Sequence, residues 1–283
     1  MSDMSEKSNF LYKAYKKKAY SLQSNLVQSS ARLETGQIHR IRLDIKRIRA
    51  IFQLIEILRP EEFSEQRDGH FLRTLFKTAG KIRELQVNLL SLEQLAEKSD
   101  IILPFKEFLI REEIKYRKNF KYAATRFDSS YLSEISLKIS QLEKDIPAEQ
   151  IIDQAIAFIT TATVAIRKLN TGPGSTESMH KIRQQLKSLG GIAALIATTR
   201  PDEKLKNLIN VIKNTDFRLG QWHDHVVLAA SLDSFLELTE QGTGEIALTL
   251  QLLSEKMKKE NRHWVHALKP TVQSTIREIK LYI

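Results

Sequence analysis

One stretch of this 283-residue chain occurs twice. The block Ile38-His39-Arg40-Ile41-Arg42 returns as Met179-His180-Lys181-Ile182-Arg183, so that the two histidines lie 141 positions apart. A second block, around Gly80, returns around Gly220 at an offset of 140. Two independent blocks with nearly the same offset indicate two copies of one unit, and repeated units usually pack around a shared axis. We therefore expect two basic surfaces to face each other.

The composition and the spacing of apolar residues both favour helices. Glycine (10 residues) and proline (6 residues) are scarce, and apolar residues recur at helical spacing along almost the whole chain. The pattern predicts helices over residues 9–32, 37–58, 61–97, 104–126, 130–144, 149–169, 176–198, 201–238 and 244–283. Four or five helices per half predict an all-α fold of two antiparallel helical bundles. The boundary is expected near Ile146-Pro147, with one bundle in residues 1–145 and the other in 146–283.

The prolines between the helices repeat as well. Pro60 and Pro201 are again 141 positions apart. Each proline suits the first turn of the long helix that follows it, because a residue there needs no backbone N–H donor. The repeat thus extends beyond the two histidine blocks.

The first histidine helix should have a basic stripe beside its buried face. At 100° per residue, four basic side chains fall within about 80° of one another. They are His39, Arg42, Lys46 and Arg49. The adjoining apolar face consists of Ile38, Ile41, Ile45, Ile48 and Phe52. Arg40 and Arg47 fall on the far side, where they are interpreted as ordinary solvated cations.

The second histidine helix copies this design in shorter form. Its stripe contains His180, Arg183 and Lys187, whereas Gly190 stands where Arg49 would recur. The second stripe is therefore expected to be weaker. Its apolar face consists of Met179, Ile182, Leu186 and Leu189.

Cations at such spacing repel one another, and an anion between the stripes would relieve that repulsion. The stripe on the first helix is about 15 Å long, which suits an extended polyanion better than a single phosphate. The long helices that follow add Arg73, Lys77 and Lys213 as candidate contacts. The alternative is a solvated charged face, which the duplication of the pattern disfavours.

Composition narrows the classes of partner and site. The formal net charge of +10 favours a polyanionic partner. Because the chain has no cysteine, disulfides and thiolate metal sites are excluded. The N-terminal residues contain no apolar signal segment, and no apolar run reaches the thickness of a bilayer. The expectation is a soluble cytoplasmic protein with no membrane contact and no cofactor.

The paired motifs resemble the CHAD family, the conserved histidine α-helical domain. The resemblance rests on His-x-x-Arg-x-x-x-Lys-x-x-Arg from His39 and on Gly-x-x-Arg-Glu-x-x-Val from Gly80, both repeated in the second half. It implies two helical bundles related by pseudo-two-fold symmetry around a basic cleft or pore. It also implies binding of inorganic polyphosphate and association with polyphosphate granules. The implied lining is His39, Arg42, Lys46, Arg49, Arg73, Lys77, His180, Arg183, Lys187 and Lys213.

This chain departs from the family pattern at two places. Gly190 removes one expected cation. The Arg-Asp pair of the family appears here as Arg83-Glu84 and then as His223-Asp224.

Three functional hypotheses remain from the sequence. The first is a non-enzymatic polyphosphate-binding module, in which His39 and His180 either contact the ligand or bridge helices. The second is a metal-assisted phosphohydrolase that uses His223 and Asp224, although adjacent helical residues diverge by about 100°. The third is a nucleic-acid binder that reads only the phosphate backbone, since few aromatic residues fall on the basic stripes.

Overall fold

The computed structural model describes residues 9–31, 33–95, 100–199, 202–238 and 244–283. Over these residues the chain is helical and contains no β-strand. The helices are α1 (Phe10–Ala31), α2 (Thr35–Leu58), α3 (Glu65–Asp68), α4 (His70–Leu95), α5 (Leu103–Thr125), α6 (Ser130–Glu143), α7 (Ala148–Thr171), α8 (Thr176–Ile196), α9 (Glu203–Leu238) and α10 (Glu245–Tyr282). The predicted all-α class is confirmed. The predicted helix ends at residues 32, 97 and 201 lie outside the described part of the chain.

The single helix predicted over residues 61–97 is wrong, because the chain forms a turn, the short α3 and then α4. Pro60 lies in that turn and not in the first turn of a helix. The side chain of Phe63 is fully buried here and packs on Phe52, with ring centroids 5.1 Å apart. The hydroxyl of Ser64 then caps α3 by accepting a hydrogen bond from the N–H of Gln66 at 3.2 Å. Burial of one aromatic ring and a local cap outweigh the helical periodicity.

Neighbouring helices pack in sequential pairs: α1 on α2, α4 on α5, α7 on α8 and α9 on α10. Between the halves, α2 contacts α7 and α8, and α4 contacts α9. The largest apolar cluster contains residues of both halves, such as Ile48 and Ile192. Among the described helices, none is long and apolar enough to cross a membrane. The pseudo-two-fold relation and the boundary between residues 145 and 146 stay predictions.

Helices α2 and α8 cross at positions that the repeat relates to each other. Ala50 and Gly191 are 141 positions apart, and a Cβ atom at Gly191 would lie 3.1 Å from that of Ala50. A larger residue at this point would push the helices apart. The absence of a side chain at Gly191 therefore permits the close approach of the two histidine helices.

Candidate functional site: a basic cleft between four helices

A cleft of about 240 Å³ lies where α2, α4, α8 and α9 meet. Its lining includes five cationic side chains and two carboxylates, with two histidines beside them. The cations are Arg42, Lys46, Arg83, Arg183 and Lys187; the carboxylates are Glu84 and Asp224; the histidines are His39 and His223. The excess of positive charge favours an anionic occupant.

The two histidine helices, α2 and α8, present four of these cations to the cleft because their apolar faces are buried in the core. The predicted apolar residues Ile38, Ile41, Ile45, Ile48 and Phe52 of α2 are all fully buried. Those predicted on α8, Met179, Ile182, Leu186 and Leu189, are also buried. Both predicted apolar faces are confirmed. On each helix the basic stripe adjoins the apolar face. Burial of the apolar face therefore directs the basic stripe toward the cleft.

Arg42 is held against α4 by an aromatic ring and a carbonyl. Its guanidinium carbon lies 4.4 Å from the ring centroid of Phe76, and its Nη1 donates to the carbonyl oxygen of Phe76 at 3.1 Å. A Cβ atom at Gly80 would lie only 2.7 Å from this Nη1. The repeated glycine thus leaves the space that the arginine occupies. The carbonyl uses one of the five N–H donors of Arg42, which also lines the cleft.

Arg183 has the equivalent position on α8 but a looser set of partners. Its Nε lies 3.8 Å from Oδ1 of Asp216, too far for a hydrogen bond. Both atoms are buried, and neither has a hydrogen-bond partner among the described residues. A Cβ atom at Gly220 would lie 3.6 Å from Nη2 of Arg183, an ordinary contact. The two arginines therefore repeat in place but differ in how firmly they are held.

The two cleft lysines are destabilised in their charged forms. Burial, together with the positive charges of Arg183 and Lys46, lowers the pKa of Lys187 to about 7, although Asp216 opposes this. The side chain of Lys46 is partly exposed to solvent in the cleft. Its pKa is nevertheless lowered, first by the protein atoms that surround it and then by Arg42. At neutral pH Lys187 is therefore only about half protonated. A bound anion would restore the proton.

The histidines of the two halves have different surroundings. His39 lines the cleft, and its pKa is lowered by partial burial and by Arg83. His180 does not line the cleft; its ring packs 4.9 Å from the rings of both Trp222 and His223. His180 therefore bridges α8 and α9, in line with a structural role for this residue.

His223 enters the cleft in place of the arginine found in the first half. Burial and the neighbouring Arg183 lower its pKa to about 3, so that the ring is neutral at neutral pH. Its Nδ1 is buried without a hydrogen-bond partner among the described residues. Burial raises the pKa of the adjacent Asp224, although Arg183 opposes this.

Several predicted site residues lie outside the cleft. Nε of Arg49 lies 2.8 Å from Oε1 of Glu65. Arg73 donates from Nη1 to the carbonyl oxygen of Glu65 at 2.6 Å and from Nη2 to that of Gln66. Lys77 and Lys213 are exposed, and neither lines the cleft. Binding by these four residues and by His180 stays a prediction.

Sequence reasoning assigned no binding role to three charged residues of the cleft: Arg83, Glu84 and Asp224. Their signal was present in the second repeated block, where Arg83-Glu84 aligns with His223-Asp224 at an offset of 140. In the sequence this block serves as evidence for the repeat, and His223-Asp224 belongs to the phosphohydrolase hypothesis as a pair of metal ligands. Within the described ranges, no group of three metal-ligating side chains is found.

Comparisons with known proteins identify a family from the sequence and similar folds among solved structures. The family model described as the CHAD domain matches residues 19–233. The structure is similar to the crystal structure of the CHAD domain from the plant Ricinus communis, with 13% identity, a TM-score of 0.76 and coverage of 93% of this chain and 90% of that chain. It is also similar to PptA from Streptomyces chartreusis, with 15% identity, a TM-score of 0.63 and coverage of 95% and 98%. A comparison with curated protein sequences gave no significant match.

Proposed function

Because its residues 19–233 match the family model, the chain belongs to the CHAD family, and we propose that its cleft binds inorganic polyphosphate without hydrolysing it. The main support is the convergence of two Arg-Lys pairs, Arg42 with Lys46 and Arg183 with Lys187, on one cleft. The pairs come from equivalent positions of the repeat. Polyphosphate binding is what the family resemblance implies, and the charge of the cleft fits it.

Electrostatics favours a ligand with many charges in a row. The five cations line the cleft from three helices, α2, α4 and α8. Polyphosphate has a negative charge on every unit, so that successive units can meet successive cations. Arginine can bind two phosphate oxygens at once, and lysine acts as a point charge. A single orthophosphate would satisfy only part of this set.

The chemistry of the cleft supports binding without catalysis. A histidine with a pKa of about 3, as for His223, is too weak a base to accept a proton at neutral pH. Metal-assisted hydrolysis of phosphates calls for clustered oxygen ligands, and the two carboxylates of the cleft, Glu84 and Asp224, lie among five cations. These observations favour a binding module over a phosphohydrolase.

Isothermal titration calorimetry at moderate salt tests the proposal with long-chain polyphosphate as ligand and with single-stranded RNA and orthophosphate as controls. We expect tight binding of polyphosphate alone. The double variant Arg42→Ala/Lys46→Ala should weaken binding by tenfold or more and lower the slope of log K against log salt by about two. The matched variant Arg40→Ala/Arg47→Ala removes two charges outside the cleft and should have a smaller effect.

Three outcomes would contradict the proposal. Equal binding of RNA would indicate a general polyanion surface. Equal effects of the two double variants would indicate diffuse charge attraction and no built site. Release of orthophosphate from polyphosphate by the purified protein, abolished by His223→Ala, would establish a hydrolase.

A further inference from the structure

A second cavity, of about 540 Å³, lies between α1, α2 and the end of α8. It shares no lining residue with the cleft. Arg47 and Ile51 line it from α2, about 100° and 140° around that helix from Lys46. Its volume falls within the range of small-molecule sites, about 300–1,000 Å³. The cavity is thus a separate candidate binding site.

The floor of this cavity is apolar. The apolar residues Phe10, Ile51 and Leu195 line it, and Ile51 and Leu195 belong to the buried core. Ala14 and Ala194 also line it, and their small side chains leave depth between the helices. An apolar floor gives no stabilisation to a bare phosphate chain, whereas it favours a ligand with a hydrocarbon or aromatic body.

Four cations surround this floor: Lys13, Lys17 and Lys18 of α1 and Arg47 of α2. No carboxylate is present among the described residues that line the cavity. The nearest one to Lys18 is that of Asp44, at 4.0 Å. Burial and the neighbouring Arg47 lower the pKa of Lys18, so an additional negative charge here would stabilise its protonated form. An anionic group is therefore the complementary partner for this rim.

The second half of the chain does not repeat Arg47 at the equivalent position. Ser188 and Gln53 occupy the positions that the 141-residue offset relates to Arg47 and Ala194. The hydroxyl of Ser188 donates a hydrogen bond to Oε1 of Gln53, which joins α8 to α2 directly. The cation that Arg47 brings to the cavity is thus not a by-product of the repeat.

We propose that this second cavity binds a small amphiphilic anion. The apolar body of the ligand lies on Phe10, Ile51 and Leu195, and its carboxylate or phosphate head lies among Lys17, Lys18 and Arg47. The shared chemistry is a single-chain or aromatic molecule with one anionic end. This site is independent of the polyphosphate cleft, because no residue contributes to both.

Titration of the full chain with decanoate and with decyl phosphate, each below its critical micelle concentration, tests the proposal. We expect saturable binding of at least one, and the pair distinguishes a carboxylate head from a phosphate head. Decanol and decyltrimethylammonium, which have neutral and cationic heads, should bind at least tenfold more weakly. From octanoate to dodecanoate, affinity should rise roughly fourfold per methylene group until the cavity is full.

Variants locate the site. Ala194→Phe should fill the cavity and reduce decanoate affinity at least tenfold, whereas Gln184→Phe, an exposed position of the same helix that lines neither cavity, should not. The double variant Lys17→Gln/Arg47→Gln should also weaken binding, and Lys16→Gln/Arg40→Gln should leave it unchanged. Equal effects of Ala194→Phe and Gln184→Phe would overturn the proposal. Loss of decanoate binding in Arg42→Ala/Lys46→Ala alone would also overturn it, because the amphiphile would then occupy the cleft.

Discussion

At the scale of single residues, Lys187 makes the cleft sensitive to pH. Its pKa of about 7 reflects burial and the positive charges of Arg183, Lys46 and Arg42, opposed by Asp216. In the free protein the ammonium group therefore loses its proton as pH rises through 7. A bound polyanion raises the pKa again, and binding above pH 7 must take up a proton.

The first prediction concerns this proton. Polyphosphate affinity should fall by about tenfold per pH unit above pH 7, until the pKa of the complex is reached. Calorimetry in two buffers with different ionisation enthalpies should detect proton uptake at pH 8. Lys187→Arg keeps the charge but not the titration, and it should flatten the pH dependence. An unchanged pH dependence in this variant would show that Lys187 is not the titrating group.

The second prediction compares the two repeated glycines. A Cβ atom at Gly80 would meet Arg42 at 2.7 Å, whereas one at Gly220 would meet Arg183 at 3.6 Å. Gly80→Ala should displace the guanidinium and weaken polyphosphate binding by about fivefold, the equivalent of one hydrogen bond. Gly220→Ala should leave affinity unchanged and raise the free energy of unfolding by about 0.5–1 kcal/mol through helix propensity. Titration calorimetry and urea unfolding measure both quantities, and equal affinity losses would contradict this account.

At the scale of elements, periodicity predicted the helices well because most apolar faces are buried as the wheel requires. It failed at residues 61–69, where the burial of Phe63 and the cap at Ser64 end the regular spacing. Gly69 lies between α3 and α4. A larger residue would not fit there, because its Cβ atom would lie 2.5 Å from the carbonyl oxygen of Glu65. These contacts, one with α2 and two within the segment itself, are not periodic, and a helical wheel has no information about them.

The same limit explains which site residues could be predicted. Arg42, Lys46, Arg183 and Lys187 line the cleft because they flank a buried face, which the sequence displays. Arg49 lies one turn further along α2 and pairs instead with Glu65 of α3, an element that the wheel could not place. Position on a helix indicates the direction of a side chain but not the partner that it meets.

The third prediction concerns Arg73, whose guanidinium donates to two backbone carbonyls of α3. Arg73→Ala should lower the free energy of unfolding by about 1–2 kcal/mol, because these carbonyls lose their donor. Polyphosphate affinity should change less than in Arg42→Ala. Lys77→Ala, at an exposed position of the same helix, is the control for stability and should change it by less than about 0.5 kcal/mol. A large loss of affinity with unchanged stability would assign Arg73 to the binding site.

At the scale of the whole molecule, the two halves contribute matching pairs of cations. The sequence suggested a weaker second half because Gly190 replaces the counterpart of Arg49. In the structure a Cβ atom at Gly190 would lie 3.0 Å from Cγ2 of Ile212, so the glycine permits close packing of α8 on α9. Arg49 itself lies outside the cleft. The replacement of its counterpart by Gly190 therefore removes no cation from the cleft.

The fourth prediction tests this balance between the halves. At pH 6, where Lys187 is protonated, Arg183→Ala/Lys187→Ala should reduce the salt slope of polyphosphate binding as much as Arg42→Ala/Lys46→Ala, by about two. At pH 8 the same double variant should cost less affinity than at pH 6, because binding to the unchanged protein must then supply a proton to Lys187. Titrations at three salt concentrations give both slopes. A much smaller effect of the second pair at pH 6 would contradict an equal share.

The apolar cluster that runs through both halves has a mechanical consequence for the cleft. Ile48 behind one wall and Ile192 behind the other belong to the same close-packed interior, which resists compression. A bound ligand slows amide hydrogen exchange throughout a protein by stabilising it. We expect filling the cleft to slow exchange in α2 and α8 no more than in the other helices. Slower exchange confined to these two helices would indicate closure. Because both walls share one interior, the width of the cleft is fixed. The cleft therefore selects a ligand by its thickness and does not close around it.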